Sequence, residues 1–358
     1  MEPYKLTATE ALSSIRNRSL TVEQYARSLL SRIAERGPTV QAWEHLDAEN
    51  VIREAKRLDQ TPDQERGPLH GLPIARISQA PISIGSQTGG STIRPGSFNG
   101  IYALKPTWNA ISREGQKFYS LTLDTIGFFA RRIEDLELIA DVFGVEDDCA
   151  PADDFKVEGA RFAVVKTPVW PEAGPGTISA LEAGARLLRS HGAEVEEIEL
   201  PPEFDRAPEW HSVLMNSEGR VTFLSEYRLA KEKLSPFLAR TVENANGISR
   251  AAQLEAYDGI AALRPKIDEI AKKYAAILTP SVVDEAPVGI ESTGSPVFNG
   301  MWTALHTPVV NIPGFKGAND MPIGLSLVAP RYYDRHLLAV SKAVGKIFES
   351  EGGWKNRF

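Results

Sequence analysis

Apolar positions recur at helical spacing through the first sixty residues. Val22, Tyr25, Ala26, Leu29, Leu30 and Ile33 fall on one face, and Ala48, Val51, Ile52, Ala55 and Leu58 repeat the pattern in a second helix. The charges between them read as solvated faces. Thr21 followed three residues later by Gln24 fits a capping box at the start of the first of these helices. A polar linker, Gln60 to Pro68, leads into Gly71-Leu72-Pro73-Ile74, and a stretch rich in Gly, Ser and Thr runs from Ile82 to Gly100. Residues 118–144 read as a turn followed by a helix. Ile133, Leu136, Ile139, Ala140 and Val142–Phe143 lie on one side of that helix, and Gly144 serves as its C-cap.

Past residue 150 the texture changes. Arg161–Lys166 reads as a buried strand, a helix follows near Ile178–Ser190, and a second strand runs around Val195–Leu200. That βαβ-like unit implies parallel pairing with helices covering the sheet. Residues 208–275 read as largely helical. Ala275–Val283 is a further buried strand ending at Pro280, "PVVNIPGF" and "MPIGLSLVAP" are two more, and a helix over His336–Phe348 closes the chain. No linker separates two halves and no internal repeat is present. The expectation is a single α/β domain over residues 1–358, with N-terminal helices over 1–66, a Gly-rich segment over 67–145 and the rest of the sheet over 150–358.

Composition narrows the function classes. Lys plus Arg is 40 against 47 for Asp plus Glu, a net charge of −7, with no basic patch to neutralise phosphates, so nucleic acid is not expected as a partner. The single cysteine, Cys149, cannot form an internal disulfide. It follows Glu146-Asp147-Asp148, which disfavours a thiolate, so it reads as an inert thiol. The N-terminal residues carry no apolar signal core and no run of 18 apolar residues occurs, so no membrane partner is expected and a cytoplasmic location is. No Cys/His spacing supports a metal, and no cofactor is expected.

The chemistry concentrates in Gly85-Ser86-Gln87-Thr88-Gly89-Gly90-Ser91-Thr92-Ile93-Arg94-Pro95. A phosphate loop of the pattern G-x-x-x-x-G-K-[ST] fails because Ser91 stands where the lysine belongs. A G-x-S-x-G nucleophile elbow fails because Ile93 replaces the second glycine, and a β-branched residue crowds that turn. A third reading presents Ser91 on a Gly-Gly turn. There the glycines allow positive φ and close approach, and successive N–H groups form an oxyanion hole for acyl transfer. A plain surface Gly/Ser loop remains open on composition alone.

"GSQTGGSTIRPGSFNGIYALKPT" resembles the core of the amidase signature, and "SLTLDTIGFFARRIEDL" its continuation. "GPLHGLPIA" is similar to the family's approach to its catalytic lysine. "AAILTPSVVDEAP", "MWTALHTPVVNIPGF" and "MPIGLSLVAPRYYDRHLL" resemble its closing strands and helix. The resemblance spans nearly the whole chain, with the motifs in order. It implies a mixed central sheet covered by helices on both faces and hydrolysis of a carbon–nitrogen bond in a small-molecule amide. Ser91 matches the acyl-forming serine. Thr88, Gly89, Gly90 and Ser91 match the oxyanion backbone, Arg94 matches a structural arginine, and Lys105 belongs to the "KPT" element and is not the catalytic lysine.

The family's machinery is a Ser–Ser–Lys triad, and here the chain departs from it. "GLPIA" runs into Arg76-Ile77-Ser78-Gln79, which puts Ile77 where the lysine belongs, and the Gly-Ser-Ser element with the bridging serine is absent. Several tens of residues, with part of the central sheet, are missing between intact motifs. Arg76 stays protonated and cannot replace the base. Ser78, Ser83 and Ser86 are not in a Gly-Ser-Ser context, and the six histidines are scattered. The readings carried forward are an amidase-type hydrolase, an inactive amidase-like binding or regulatory protein, and an incomplete reading of a full-length, active amidase through a skipped coding segment or an internal deletion. A homodimer is left open. The substrate region is expected in 208–260, with Trp210, Met215, Phe223 and Tyr227 as lining.

Overall fold

The computed structural model describes residues 2–75, 81–148 and 154–355. Cys149 and the junction residues Arg76, Ile77, Ser78 and Gln79 lie outside them. The strands are β1 (Ile74–Ala75), β2 (Ile82–Gln87), β3 (Tyr102–Lys105), β4 (Thr125–Ala130), β5 (Arg161–Val165), β6 (Glu194–Ile198), β7 (Ala276–Pro280), β8 (Val309–Lys316) and β9 (Pro322–Val328). They form one mixed 9-stranded sheet in the order β1-β2-β4-β3-β8-β9-β7-β5-β6. The βαβ unit read from the sequence is present: β5 pairs in parallel with both β6 and β7.

Both faces of the sheet are apolar, because successive side chains on a strand point to opposite sides. Tyr102, Leu104, Phe162, Val164, Ala276 and Leu278 enter one core. Their neighbours Ala103, Ala163, Val165 and Ile277 enter a second one on the other face. Covering the first core are α1 (Ala8–Arg16), α2 (Val22–Val40) and α3 (Ala48–Asp59) with helices that follow later in the chain. After α4 (Ile93–Phe98), those are α5 (Ile133–Val142), α6 (Pro175–Ser190) and the closing helix Asp334–Glu351. The second core is covered by α7 (Ala207–Thr222), with α8 (Leu224–Ala230) and α9 (Pro236–Val242) at its flank, and by α10 (Arg250–Ala271) and α11 (Val297–Ala304). The closing helix is α12. The expected α/β class with helices on both faces is therefore the one observed.

Local signals behave as their chemistry requires. Thr21 accepts the N–H of Gln24 at 3.0 Å and Gln24 Oε1 accepts the N–H of Thr21 at 3.0 Å, closing the capping box. Gly144 ends α5 at φ 60°, its N–H bonding Asp141 O at 3.1 Å while Val145 N–H reaches Ala140 O at 2.9 Å, a Schellman arrangement.

Besides the short edge strand β1, three strands depart from the sequence reading. β2 and β3 lie inside or beside the stretch read only as Gly/Ser/Thr-rich, and β4 interrupts the segment read as a turn followed by a helix. In β4 the apolar run Ile126–Ala130 carries Gly127, which weakens its strand signature. Gly127 is required because Thr92 Oγ1 would lie 2.2 Å from a Cβ there. The sheet is continuous among the described residues. β1 and β2, which flank the junction, stand at its edge rather than its centre.

Candidate active site

Beyond Gln87 the chain leaves β2 and turns through Thr88-Gly89-Gly90-Ser91 into α4. The antiparallel register between β2 and β4 ends with Gln87 opposite Thr125, which brings Thr88 level with Asp124. Thr88 Oγ1 donates to Asp124 Oδ1 at 2.6 Å, and Asp124 Oδ2 accepts the N–H of Tyr119 at 2.6 Å. Burial pushes the Asp124 carboxyl above its ordinary range, and these donors limit the rise.

The Phe118–Asp124 loop is itself pinned. Glu218 of α7 accepts Ser120 Oγ at 2.7 Å, Thr122 N–H at 2.9 Å and Thr122 Oγ1 at 2.6 Å, together with Tyr257 OH at 2.7 Å. Arg113 donates to the carbonyls of Leu121 and Asp124.

The carbonyls of Thr88, Gly89 and Gly90 each have a donor. Thr88 O accepts His211 Nε2–H at 2.9 Å, Gly89 O accepts Thr303 Oγ1–H at 2.8 Å, and Gly90 O accepts Arg94 N–H at 3.0 Å. Gln87 works in both directions: its Oε1 accepts the N–H groups of Thr92 and Ile93, and its Nε2 donates to Thr303 Oγ1 at 3.0 Å. It thus caps the first turn of α4, whose N-cap residue Thr92 makes no side-chain cap. Among the described residues, no acceptor takes the N–H of Gly89, Gly90 or Ser91. The Ser91 side chain is exposed and likewise has no hydrogen-bond partner among them.

One part of the expectation for the glycines, positive φ, is not met. Neither Gly89 nor Gly90 has positive φ. Gly90 is held to glycine by space: a Cβ would sit 2.2 Å from Asn299 Oδ1 and 3.1 Å from Pro296 Cβ. At Gly89 a Cβ would meet Pro296 and His211 at 3.5 and 3.6 Å, ordinary contact.

The remaining residues named from the sequence sort clearly. Arg94 donates to Gly294 O at 3.0 Å and Thr293 Oγ1 at 3.2 Å, tying α4 to the loop before α11. Lys105 is fully buried, and its Nζ donates to the carbonyls of Pro106 and Thr307. Burial brings its pKa down to about 7. Those bonds anchor β3 and do not reach the turn. Ser83 and Ser86 lie within β2, and neither bonds Ser91. His70 meets Leu58 O at 3.1 Å. His306 stacks on Trp108 with centroids 4.4 Å apart and meets Thr122 O at 2.7 Å.

Of the expected lining residues, Trp210 and Met215 pack against the second core. Phe223 meets Tyr119 edge-on at 5.3 Å, and Tyr227 OH donates to Glu243 at 2.7 Å. Sequence reasoning did not single out His211, Thr303, Asp124 or Asn299. They lie far along the chain from the turn, and no local motif links them to it.

No helix of the described residues is long and apolar enough to cross a membrane. The family model described as Amidase matches residues 77–338, well over half of the chain. Among relatives, the A chain of the glutamyl-tRNA(Gln) amidotransferase of Deinococcus radiodurans is 27% identical over 395 aligned positions, covering 96% of this chain and 78% of that protein. A solved chain described as an amidase superposes with a TM-score of 0.82 at 19% identity, covering 96% of this chain and 100% of that one. Another, from a vestigial protein complex connected with the origins of an s-triazine catabolic enzyme, gives 0.83 at 19% identity over 99% and 100%. The motif order, the sheet and the family match agree, and the chain belongs to the amidase family.

Proposed function

We propose that this chain acts on the carbonyl group of a small carboxamide, with Ser91 as nucleophile and the N–H groups of Gly89, Gly90 and Ser91 as the oxyanion donors. The observation that carries this reading is the turn itself. An exposed hydroxyl stands beside three main-chain N–H groups that no described acceptor claims, while all the carbonyls of Thr88, Gly89 and Gly90 are bonded. Preorganised donors of that kind stabilise the charge that develops on a carbonyl oxygen under attack. Ser91 Oγ would bond to the carbonyl carbon, the C–N bond would break, and the serine proton would leave with the amine. Water would then cleave the ester and release the acid.

A serine hydroxyl needs a proton acceptor within hydrogen-bond reach to attack efficiently. No described residue supplies one. His211 has committed Nε2–H to Thr88 O, and Lys105 faces Pro106 and Thr307. Proton transfer would therefore run through water, at a loss of about 10²–10⁴ relative to a positioned base. The test is a pair of substrates. A 4-nitrophenyl ester should give a burst of nitrophenolate that is lost in Ser91→Ala, while the matching 4-nitroanilide should turn over at least a hundredfold more slowly. Rapid anilide hydrolysis would refute the missing base, and absence of any burst in folded protein would refute the nucleophile.

A second reading concerns the junction, and two observations favour it. β1 and β2 are parallel neighbours with only residues 76–81 between them, whereas such pairs are ordinarily joined by about a dozen residues or more. The match to the Deinococcus radiodurans protein spans 395 positions yet uses 96% of a 358-residue chain, so about 50 of those positions have no residue here. We therefore propose that the sequence is an incomplete reading of a longer amidase, whose native product carries the segment lost at the junction. Intact mass of the protein from its native source decides this: a value well above 39.2 kDa supports it, and 39.2 kDa refutes it.

A further inference from the structure

We infer that His211 and Thr303 are positioning residues that aim the main-chain donors of the nucleophile turn. The inference rests on the reading of Ser91 above and extends it to two side chains on the helices of the second core.

The argument is geometric. In a planar trans peptide the C=O of one residue and the N–H of the next point in opposite directions. Whatever fixes Thr88 O therefore fixes the direction of Gly89 N–H, and whatever fixes Gly89 O fixes Gly90 N–H. The third unit, Gly90 O with Ser91 N–H, is set by the helical bond from Arg94 N–H. The first two have no such local support. Their anchors arrive from 123 and 214 residues away, from α7 and α11.

Both anchors are rigid. Thr303 is fully buried, and its Oγ1 accepts from Gln87 Nε2, so its own hydrogen is free to go to Gly89 O at 2.8 Å, nearer than the alternative Asn299 O at 3.1 Å. His211 is 7% exposed, and its ring lies so close to Gly300 that a Cβ there would come within 2.8 Å of Nδ1. With Nε2–H on Thr88 O, the ring is held neutral by burial and keeps one tautomer. α7 meets the site twice on one face, at His211 and seven residues on at Glu218, which pins the loop bearing Asp124. α7, α11 and the turn are thus one mechanical unit.

The test compares Thr303→Val with Thr303→Ser, and His211→Leu with His211→Gln. The first of each pair removes the donor, and the second keeps it. Two readouts are taken on protein shown to be folded by its thermal melt: the second-order rate of Ser91 modification by a fluorophosphonate, and the ¹H–¹⁵N resonances of Gly89 and Gly90. Thr303→Val and His211→Leu should slow modification about 10- to 100-fold, short of the about 10²–10³ seen when an oxyanion donor is removed outright. They should also shift the Gly90 and Gly89 amides respectively, with rate and shift recovered in Thr303→Ser and His211→Gln. Folded variants with unchanged rates and unmoved amides would overturn the inference. If wild-type Ser91 proves unreactive, the acyl-transfer reading fails on its own. The amide shifts then still decide whether these side chains aim the turn. Should Thr303→Val not fold, the His211 pair decides the question by the same two readouts.

Discussion

Replacing the two glycines of the turn one at a time separates space from backbone freedom. Neither has positive φ, so alanine is conformationally admissible at both, and its restriction of the unfolded chain contributes about 0.4–1 kcal/mol of stability in each case. The sites differ only in what a Cβ meets. At Gly89 the neighbours are 3.5 Å or more away. At Gly90 the Cβ falls 2.2 Å from Asn299 Oδ1 and 3.0 Å from its Cγ. Asn299 cannot swing aside freely: it is 2% exposed and its Nδ2 donates to Ser281 O at 3.0 Å. Overpacking of this kind costs about 1–3 kcal/mol. Because the entropic gain is common to both variants, Gly90→Ala should lie about 1–3 kcal/mol below Gly89→Ala in stability. Urea unfolding followed by tryptophan fluorescence measures the difference at matched slopes. Combining Gly90→Ala with Asn299→Ala should cost less than the sum of the single changes, since the clash is then gone. Equal stability of the two glycine variants, or strict additivity in the double variant, would refute the reasoning.

Other outcomes follow from the same contacts. Ser91→Ala should leave the unfolding free energy within about 0.5 kcal/mol of wild type, since the side chain is exposed and makes no described bond. Glu218→Ala orphans four donors, the buried Ser120 hydroxyl and half-buried ones on Thr122 and Tyr257, so it should destabilise by about 1–3 kcal/mol or more in the same urea assay. For Lys105, burial lowers the folded pKa from 10.5 to about 7, so between those values the unfolded chain binds more protons and stability rises with pH. Wild type should therefore gain on Lys105→Met between pH 7 and 9 by at most about 1.4 kcal/mol per pH unit. Parallel pH curves would contradict this.

The parts of the fold legible in the sequence were those with local chemistry. The capping box at Thr21, the glycine stop at 144, the parallel unit of β5 and β6 and the run of helices after residue 207 all follow from spacing and end signals. β2 and β4 were not legible, because their glycines are set by contacts from elsewhere: Gly127 makes room for Thr92, and Gly85 for the ring of Phe129; β3 spans only Tyr102–Lys105, too short for a period to show. The site divides in the same way. The T-G-G-S turn announces itself as a motif, and the structure shows Ser91 exposed at its end. Its supports do not announce themselves. Asp124 is fixed by strand register, His211 and Thr303 by helix packing across the second core, and Asn299 by the absence of a side chain at Gly90. The positive φ expected of the two glycines is not found, because composition signals conformational freedom but not the proximity of a neighbour such as Asn299 at Gly90.

The central claim is that the Ser91 hydroxyl is set beside main-chain N–H groups that no described acceptor takes. The most direct measurement is the site of covalent modification after the folded protein is treated with a fluorophosphonate, read by peptide mass spectrometry. The account predicts an adduct on Ser91 alone, absent from urea-unfolded protein and from Ser91→Ala. Folded protein in which Ser91 stays unmodified, or in which other serines react equally, would contradict it.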